Sequence, residues 1–140
     1  MSAPESVAIL LVEDEESVRF ALEEALRRQG YGVQACVNAE EALERLHAET
    51  FDIAITDVKL PGISGLEFVS RARALSPELI VIAMSGVATK NQAMEALARG
   101  AYDFFPKPFR VDELNVVIGR ALERRQLQRE VQRLRLVGPR

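Results

Sequence analysis

The sequence predicts an α/β domain, a doubly wound, five-stranded parallel sheet of order 2-1-3-4-5 with five helices, the last of them extended. Short apolar runs alternate five times with amphipathic stretches of helical period. The first run, Val7 to Val12, is continuously apolar, as expected of a strand covered on both faces. Polar or charged residues close several of these runs at the carboxyl end, where open α/β sheets place their chemistry.

Val7 to Val12 reads as the first strand, ending at the four acids Glu13-Asp14-Glu15-Glu16. Val18, Ala21, Leu22, Ala25 and Leu26 then keep the spacing of a helix running to about Gln29, with Gly30 as its stop. Glu15 and Glu16 suit the start of that helix, where the dipole favours negative charge. Gly32 to Val37 is a short second strand. Asn38 caps the next helix, Glu41 completes a capping-box pattern, and Ala42, Leu43 and Leu46 form its inner stripe. Phe51 to Asp57 is a third strand that ends on a carboxylate, and Val58 to Gly65 is its turning loop, marked by Pro61, Gly62 and Gly65. Leu66, Val69, Ala72 and Leu75 mark a third helix, stopped near Ser76-Pro77. Leu79 to Met84 is a fourth buried strand, ending at Ser85-Gly86. A fourth helix holds Ala93, Ala96 and Leu97 and stops at Gly100. Tyr102 to Phe105 is the fifth strand, followed by Pro106-Lys107-Pro108. A fifth helix starts around Asp112, carries Leu114, Val117, Ile118 and Ala121 inward, and meets no Gly or Pro between Ala121 and Leu136 before Gly138-Pro139.

Composition narrows the function classes. A net charge of −3 argues against a dedicated nucleic-acid binder. No apolar run reaches the length of a membrane span, and Met1 to Ser6 lacks the basic-then-apolar pattern of a signal peptide. The single Cys36 excludes an intramolecular disulfide and fits a reducing cytoplasm. One histidine, His47, leaves little for zinc or imidazole chemistry. From Gly119 to Arg140 seven arginines face two glutamates, a local charge of +5 that leaves −8 for the rest. The tail is thus a basic appendix to an acidic domain.

The predicted strand order reverses the chain's direction between strands one and three. A crevice then opens between Val12-Glu13-Asp14 and Thr56-Asp57. Glu13, Asp14 and Asp57 bring three carboxylates to it. Two unit charges about 4 Å apart repel by roughly 4 kcal/mol at an effective dielectric near 20, so the cluster calls for a shared cation. An all-oxygen ligand set completed by water suits Mg²⁺. Ser85 and Lys107 end the two following strands at the same edge. A carboxylate nucleophile, a metal, a hydroxyl and an ammonium form a phosphoryl-transfer kit. Each residue alone has a plain structural explanation: a helix N-terminus for the acidic pair, a turn former for Asp57 as for Asp52, a turn for Ser85-Gly86, a solvated charge for Lys107. Four such features at the ends of strands one, three, four and five do not.

With these residues in place the sequence resembles the receiver domain of two-component response regulators, over roughly Val7 to Arg125. The resemblance rests on the acidic pair Glu13-Asp14, on Asp57 within Thr56-Asp57-Val58-Lys59-Leu60-Pro61-Gly62, on Ser85, and on Lys107 within Pro106-Lys107-Pro108-Phe109. It implies a flavodoxin-like fold in which Asp57 is phosphorylated by a partner histidine kinase. Asp14, Asp57 and the backbone carbonyl of Lys59 would bind Mg²⁺, with Glu13 helping through water. Phe104, three before Lys107, matches the family's aromatic switch position. Ser85, drawn to the phosphoryl group, would vacate space for Phe104 and repack the face of the fourth helix, fifth strand and fifth helix. The pair is Glu-Asp rather than Asp-Asp, and Ser85 stands where Thr is more frequent.

Residues 1–121 are accordingly expected to be the receiver and 122–140 a helical linker. Leu127, Val131 and Leu134 keep a 4-3 spacing suited to a short coiled coil, although Arg124 breaks the stripe upstream and a solvated linker explains it as well. No helix-turn-helix follows the arginines, so direct nucleic-acid binding is not expected. Pro106-Lys107-Pro108-Phe109 and the long last helix resemble the NtrC-type activators. There a receiver precedes an ATPase and a DNA-binding domain, both absent from this chain; a homodimer through the helix is implied, with a stand-alone receiver as the alternative. An aspartate-nucleophile phosphatase of the haloacid dehalogenase type wants an acid two residues after the nucleophile, where Lys59 stands. A flavodoxin-like cofactor carrier wants a Ser, Thr or Gly-rich phosphate loop after the first strand, which is missing. A receiver-like scaffold that is never phosphorylated would not need Asp14, Asp57, Ser85 and Lys107 together. The expectation is a cytoplasmic switch with only slow self-phosphorylation and dephosphorylation, not a turnover enzyme.

Overall fold

The computed structural model describes residues 7–137. The chain divides into two compact units, Met1–Phe109 and Arg110–Arg140.

The first unit is built from β1 (Ala8–Val12), α1 (Glu16–Arg28), β2 (Gly32–Cys36), α2 (Ala39–Ala48), β3 (Ile53–Asp57), α3 (Gly65–Leu75), β4 (Ile80–Ser85), α4 (Lys90–Ala98) and β5 (Asp103–Pro106). All strand pairs are parallel and the order is β2-β1-β3-β4-β5, as predicted. Ile9, Leu10, Leu11 and Val12 are all fully buried, because β1 lies between two strands and under helices on both faces. Side chains alternate along each strand. Leu10, Val12, Ala54, Val81 and Ala83 therefore share one face, where Ala39 and Ala42 of α2, Phe68, Val69 and Ala72 of α3, and Ala96 of α4 pack on them. Ile9, Leu11, Ile53, Ile55, Ile82 and Met84 take the other face. There α1 lies against β1 and β2.

The helices start where short polar side chains satisfy free backbone donors. Asn38, Ser64 and Thr89 each accept the N–H three residues on, from Glu41, Glu67 and Gln92. The return arm of the expected capping box goes elsewhere: Glu41 Oε1 accepts from Val37 N–H. Glu16 sits in the first turn of α1, while Glu15 occupies the cap without a side-chain capping bond. Asp52, expected as a turn former, accepts Ala8 N–H and so pins the start of β1 beside β3.

The helical stripes hold less well. Ala21, Leu75 and Leu97 are exposed, although each lies on a predicted periodic face. Leu97 and Leu75 fall near the ends of short helices, where the sheet no longer covers the stripe. Phe68, absent from the predicted stripe, is fully buried and is the bulkiest core side chain of α3. Cys36 is also buried, and burial pushes its thiol up to about 11.

The second unit is dominated by α5 (Val111–Val137), a continuous helix of 27 residues. Leu114, Ile118 and Ala121 are buried and Val117 is half-buried; Leu127, Val131 and Leu134 are exposed. The expected stop at Gly138-Pro139 lies outside the described residues.

Because Phe68 fills the core without a compensating neighbour of similar size on α3, Phe68→Ala is expected to lower the unfolding free energy by about 3–5 kcal/mol. Urea denaturation measures it, and a loss under about 1 kcal/mol would show that the site collapses around the missing ring.

Candidate functional site

Parallel register determines which strand-end residues meet. Ile9 pairs with Ile53 and Val12 with Thr56, so one step further Glu13 falls beside Asp57. Asp57 in turn pairs with Met84, and Met84 with Phe105, two residues before Lys107. Glu13, Asp57 and Lys107 therefore share one face by the period of two. Ser85 falls on the opposite face, together with Ala83 and its partner Phe104.

The Lys107 ammonium lies 2.8 Å from Asp57 Oδ2 and 3.0 Å from Glu13 Oε1. Glu13 is 1% exposed, so this is an ion pair taken largely out of water. Ligand oxygens of Glu13, Asp14 and Asp57 lie within 4.8 Å of one another. Asp14 is the exposed member of the three. Lys59 N–H donates to Asp57 Oδ1 at 3.0 Å, and Glu15 N–H donates to Glu13 Oε2 at 3.0 Å. Both Asp57 oxygens are thus held. The donor set, three carboxylates at the mouth of a crevice with one side open to water, fits a hard divalent cation such as Mg²⁺.

Burial raises the Glu13 carboxyl above the usual carboxylate value, against the opposing pull of Glu15 N–H and Lys107. For Lys107, burial works downward, but the hydrogen bonds to Asp57 and Glu13 outweigh it and the ammonium is raised. Lys107 is therefore a proton-bearing cation throughout the physiological range.

The backbone around Asp57 is fixed from three sides. Val58 N–H donates to Met84 O at 2.8 Å and Gly65 N–H to Val58 O at 2.8 Å. Thr56 Oγ1 donates to the Asp57 carbonyl at 3.0 Å. A Cβ on Gly65 would stand 1.8 Å from that same carbonyl oxygen, so only glycine fits at the start of α3. Sequence reasoning took Gly65 as a turn former only, and one chain offers no signal for a close approach across eight residues. Glu40 of α2 accepts Ile63 N–H at 3.1 Å and ties down the far end of the same loop. Ser85 is 3% exposed, and its Oγ accepts Val87 N–H at 3.2 Å. Phe104 is half-buried against the helix-covered core. The Lys107–Pro108 bond is cis.

All the residues expected at the site lie at one edge of the sheet. Glu13 and Asp14 follow β1, Asp57 ends β3, Lys59 is two residues beyond it, Ser85 ends β4 and Lys107 follows β5. Glu13 bonds Lys107 directly, a contact the sequence did not announce.

A doubly wound sheet with an acidic crevice at its switch point, closed by a strand-end lysine, defines a signalling domain of the receiver type rather than a nucleotide or flavin carrier. The chain belongs to the response regulator receiver domain family, whose model matches residues 9–119. It is 34% identical over 131 residues to the DNA-binding transcriptional regulator NtrC of Escherichia coli K12, covering 94% of this chain and 28% of that one. It is 38% identical over 135 residues to the C4-dicarboxylate transport transcriptional regulatory protein DctD of Rhizobium meliloti, covering 96% and 29%. The chain thus spans under a third of the length of these curated relatives. Among solved structures it resembles the beryllofluoride-activated NtrC4 receiver domain dimer, with a TM-score of 0.79, 30% identity, and coverage of 84% of this chain and 98% of that one.

Asp14 crowds the two carboxylates that Lys107 pairs with, so neutralising this exposed third one relieves repulsion. Asp14→Asn is expected to raise stability in EDTA by about 1 kcal/mol, the scale for charges about 4 Å apart near water. The gain should vanish in high salt, and a loss of stability at low salt would contradict it. Glu13 carries the opposite pH sign to a salt-bridged surface acid. Its raised folded pKa means its contribution is full below the unfolded value of 4.5 and is lost as pH rises through the folded value. Wild type should therefore gain stability relative to Glu13→Gln as pH falls from neutrality towards 4.5; thermal melts that run parallel across this window would refute it.

Proposed function

We propose that the chain is the phosphoacceptor module of a two-component system, taking a phosphoryl group on Asp57 from the phosphohistidine of a sensor kinase. The observation that carries this reading is the Lys107 ammonium bonded to Asp57 and Glu13 at the edge of a three-carboxylate cluster. An Asp57 carboxylate oxygen bonds phosphorus as the phosphorus–nitrogen bond breaks, and the imidazole leaves with the electron pair. Asp14, Asp57 and the Lys59 carbonyl would hold Mg²⁺, with Glu13 helping through water; when bound, the ion would offset charge on the phosphoryl oxygens. Lys107 exchanges Asp57 Oδ2 for a phosphoryl oxygen, and the Ser85 hydroxyl donates to another.

The new group carries about −1.5 to −2 charges. Ser85 moves towards it and Phe104, on the same face of the adjacent strand, turns into the space left behind. The change reaches the output through α4, β5 and α5. A shift from 1:99 to 99:1 needs about 5.5 kcal/mol of differential stabilisation, which charge-assisted bonds from Lys107 and Ser85 largely supply. Hydrolysis of the phosphoryl group is slow, so the domain is a switch rather than a turnover enzyme.

Residues 1–121 are the receiver and 122–140 a helical linker; the family match ending at residue 119 supports this division. The names of the NtrC and DctD relatives support a transcriptional output, and that of NtrC a DNA-binding domain, with an ATPase domain between receiver and DNA-binding domain part of the same proposal. The NtrC4 receiver dimer supports homodimerisation. A cytoplasmic location agrees with the finding that no helix among the described residues is long and apolar enough to cross a membrane.

Incubation with acetyl phosphate and Mg²⁺ should add one phosphoryl group to the intact mass of wild type. None should appear on Asp57→Ala or in EDTA. Equal labelling of Asp57→Ala would end the proposal.

A further inference from the structure

Arg19 lies on the first turns of α1 and reaches back over the acidic pair. Its Nη1 donates to the Glu13 carbonyl at 3.0 Å and, over a longer 3.4 Å, to the Asp14 carbonyl. The rest of the Glu13 backbone is tied to β2, since Glu13 N–H donates to Cys36 O at 3.1 Å. The Glu13 side chain is held by Lys107 and Glu15 N–H. Asp14 has no such packing. It is exposed, and the tie on this residue is the Arg19 bond to its carbonyl.

A guanidinium at this place is a poor choice on charge alone. It repels any divalent cation bound by the neighbouring carboxylates. Its value lies in geometry: one planar, always-charged group takes two successive carbonyls at once. Groups that fix the direction of metal ligands without touching the metal commonly change metal affinity by about ten- to a hundredfold.

We infer that Arg19 is a positioning residue for the cation site, clamping the Glu13 and Asp14 carbonyls so that the Asp14 carboxylate is pre-aimed at the metal. The inference rests on the proposed Mg²⁺ site at Glu13, Asp14 and Asp57. It separates from a pure charge role by the sign of its effects. Arg19→Lys keeps the charge on a shorter, compact ammonium and loses the Nη1 that reaches both carbonyls. Arg19→Gln loses both, and so also loses the repulsion.

Isothermal titration with MgCl₂ on the whole chain, with thermal melts in EDTA on the same samples, tests it. Arg19→Lys should weaken Mg²⁺ binding roughly tenfold, and Arg19→Gln should weaken it by less. If Arg19→Lys binds like wild type, or Arg19→Gln binds more tightly than wild type, the clamp is wrong. Lowered melting temperatures with unchanged Mg²⁺ affinity would make Arg19 a prop for α1 and also overturn it. Failure of wild type itself to bind Mg²⁺ would remove the metal site and the inference together, whereas normal wild-type binding with an unaffected Arg19→Lys removes the inference alone.

Discussion

A single ammonium held between two carboxylates ties three strand ends together. Lys107 follows the edge strand β5, Asp57 ends the central β3, and Glu13 leaves β1, so the ion pair bridges most of the width of the sheet. Leaving either carboxylate buried without its cation costs several kcal/mol, whereas the intact pair adds little net stability over an apolar substitute. Such an arrangement is a weak way to build a core and a good way to build a site. Its partners are few, charged, and able to exchange one oxygen for another without disturbing the hydrophobic layers below.

Those layers are what make the exchange readable. The parallel register puts Glu13, Asp57 and Lys107 on one face and Ser85 and Phe104 on the other. The acidic cluster and the aromatic side chain are therefore separated by the sheet itself, and Ser85, at the last position of β4, lies on the aromatic side; under the proposed function it is the residue through which one side would reach the other. The backbone at this edge is meanwhile clamped around Asp57 by Gly65, Thr56 and Met84. The proposed switch requires both: a carboxylate held in place and a side chain one strand away that can move.

Much of this was legible in the chain because its signals are local. Short, mostly apolar runs marked the five strands, Asn38 and Gly30 marked helix ends, and the strand-terminal residues Asp57, Ser85 and Lys107 announced an edge with chemistry. The features that escaped are those set by packing across the sequence. Leu75 and Leu97 keep helical period yet lie exposed, because periodicity does not say where a neighbouring layer stops. Phe68 is buried one place away from the predicted stripe for the same reason. Gly65, Glu40 and Arg19 act on backbone atoms of distant or preceding loops, and a residue's type does not reveal which carbonyl or N–H it will find.

The buried thiol has a practical consequence. Cys36 is the only cysteine in the chain, is 1% exposed, and is held in its protonated form by burial. Nucleophilic attack on maleimides or nitroxide reagents requires a thiolate in contact with solvent. The natural chain is therefore silent towards such labels while folded. A cysteine introduced at Met94, on the exposed side of α4, becomes the one reactive position. A spin or fluorescent probe can then be attached there without first deleting a core residue, and the helix that borders β5 can be followed in a protein whose interior is unaltered.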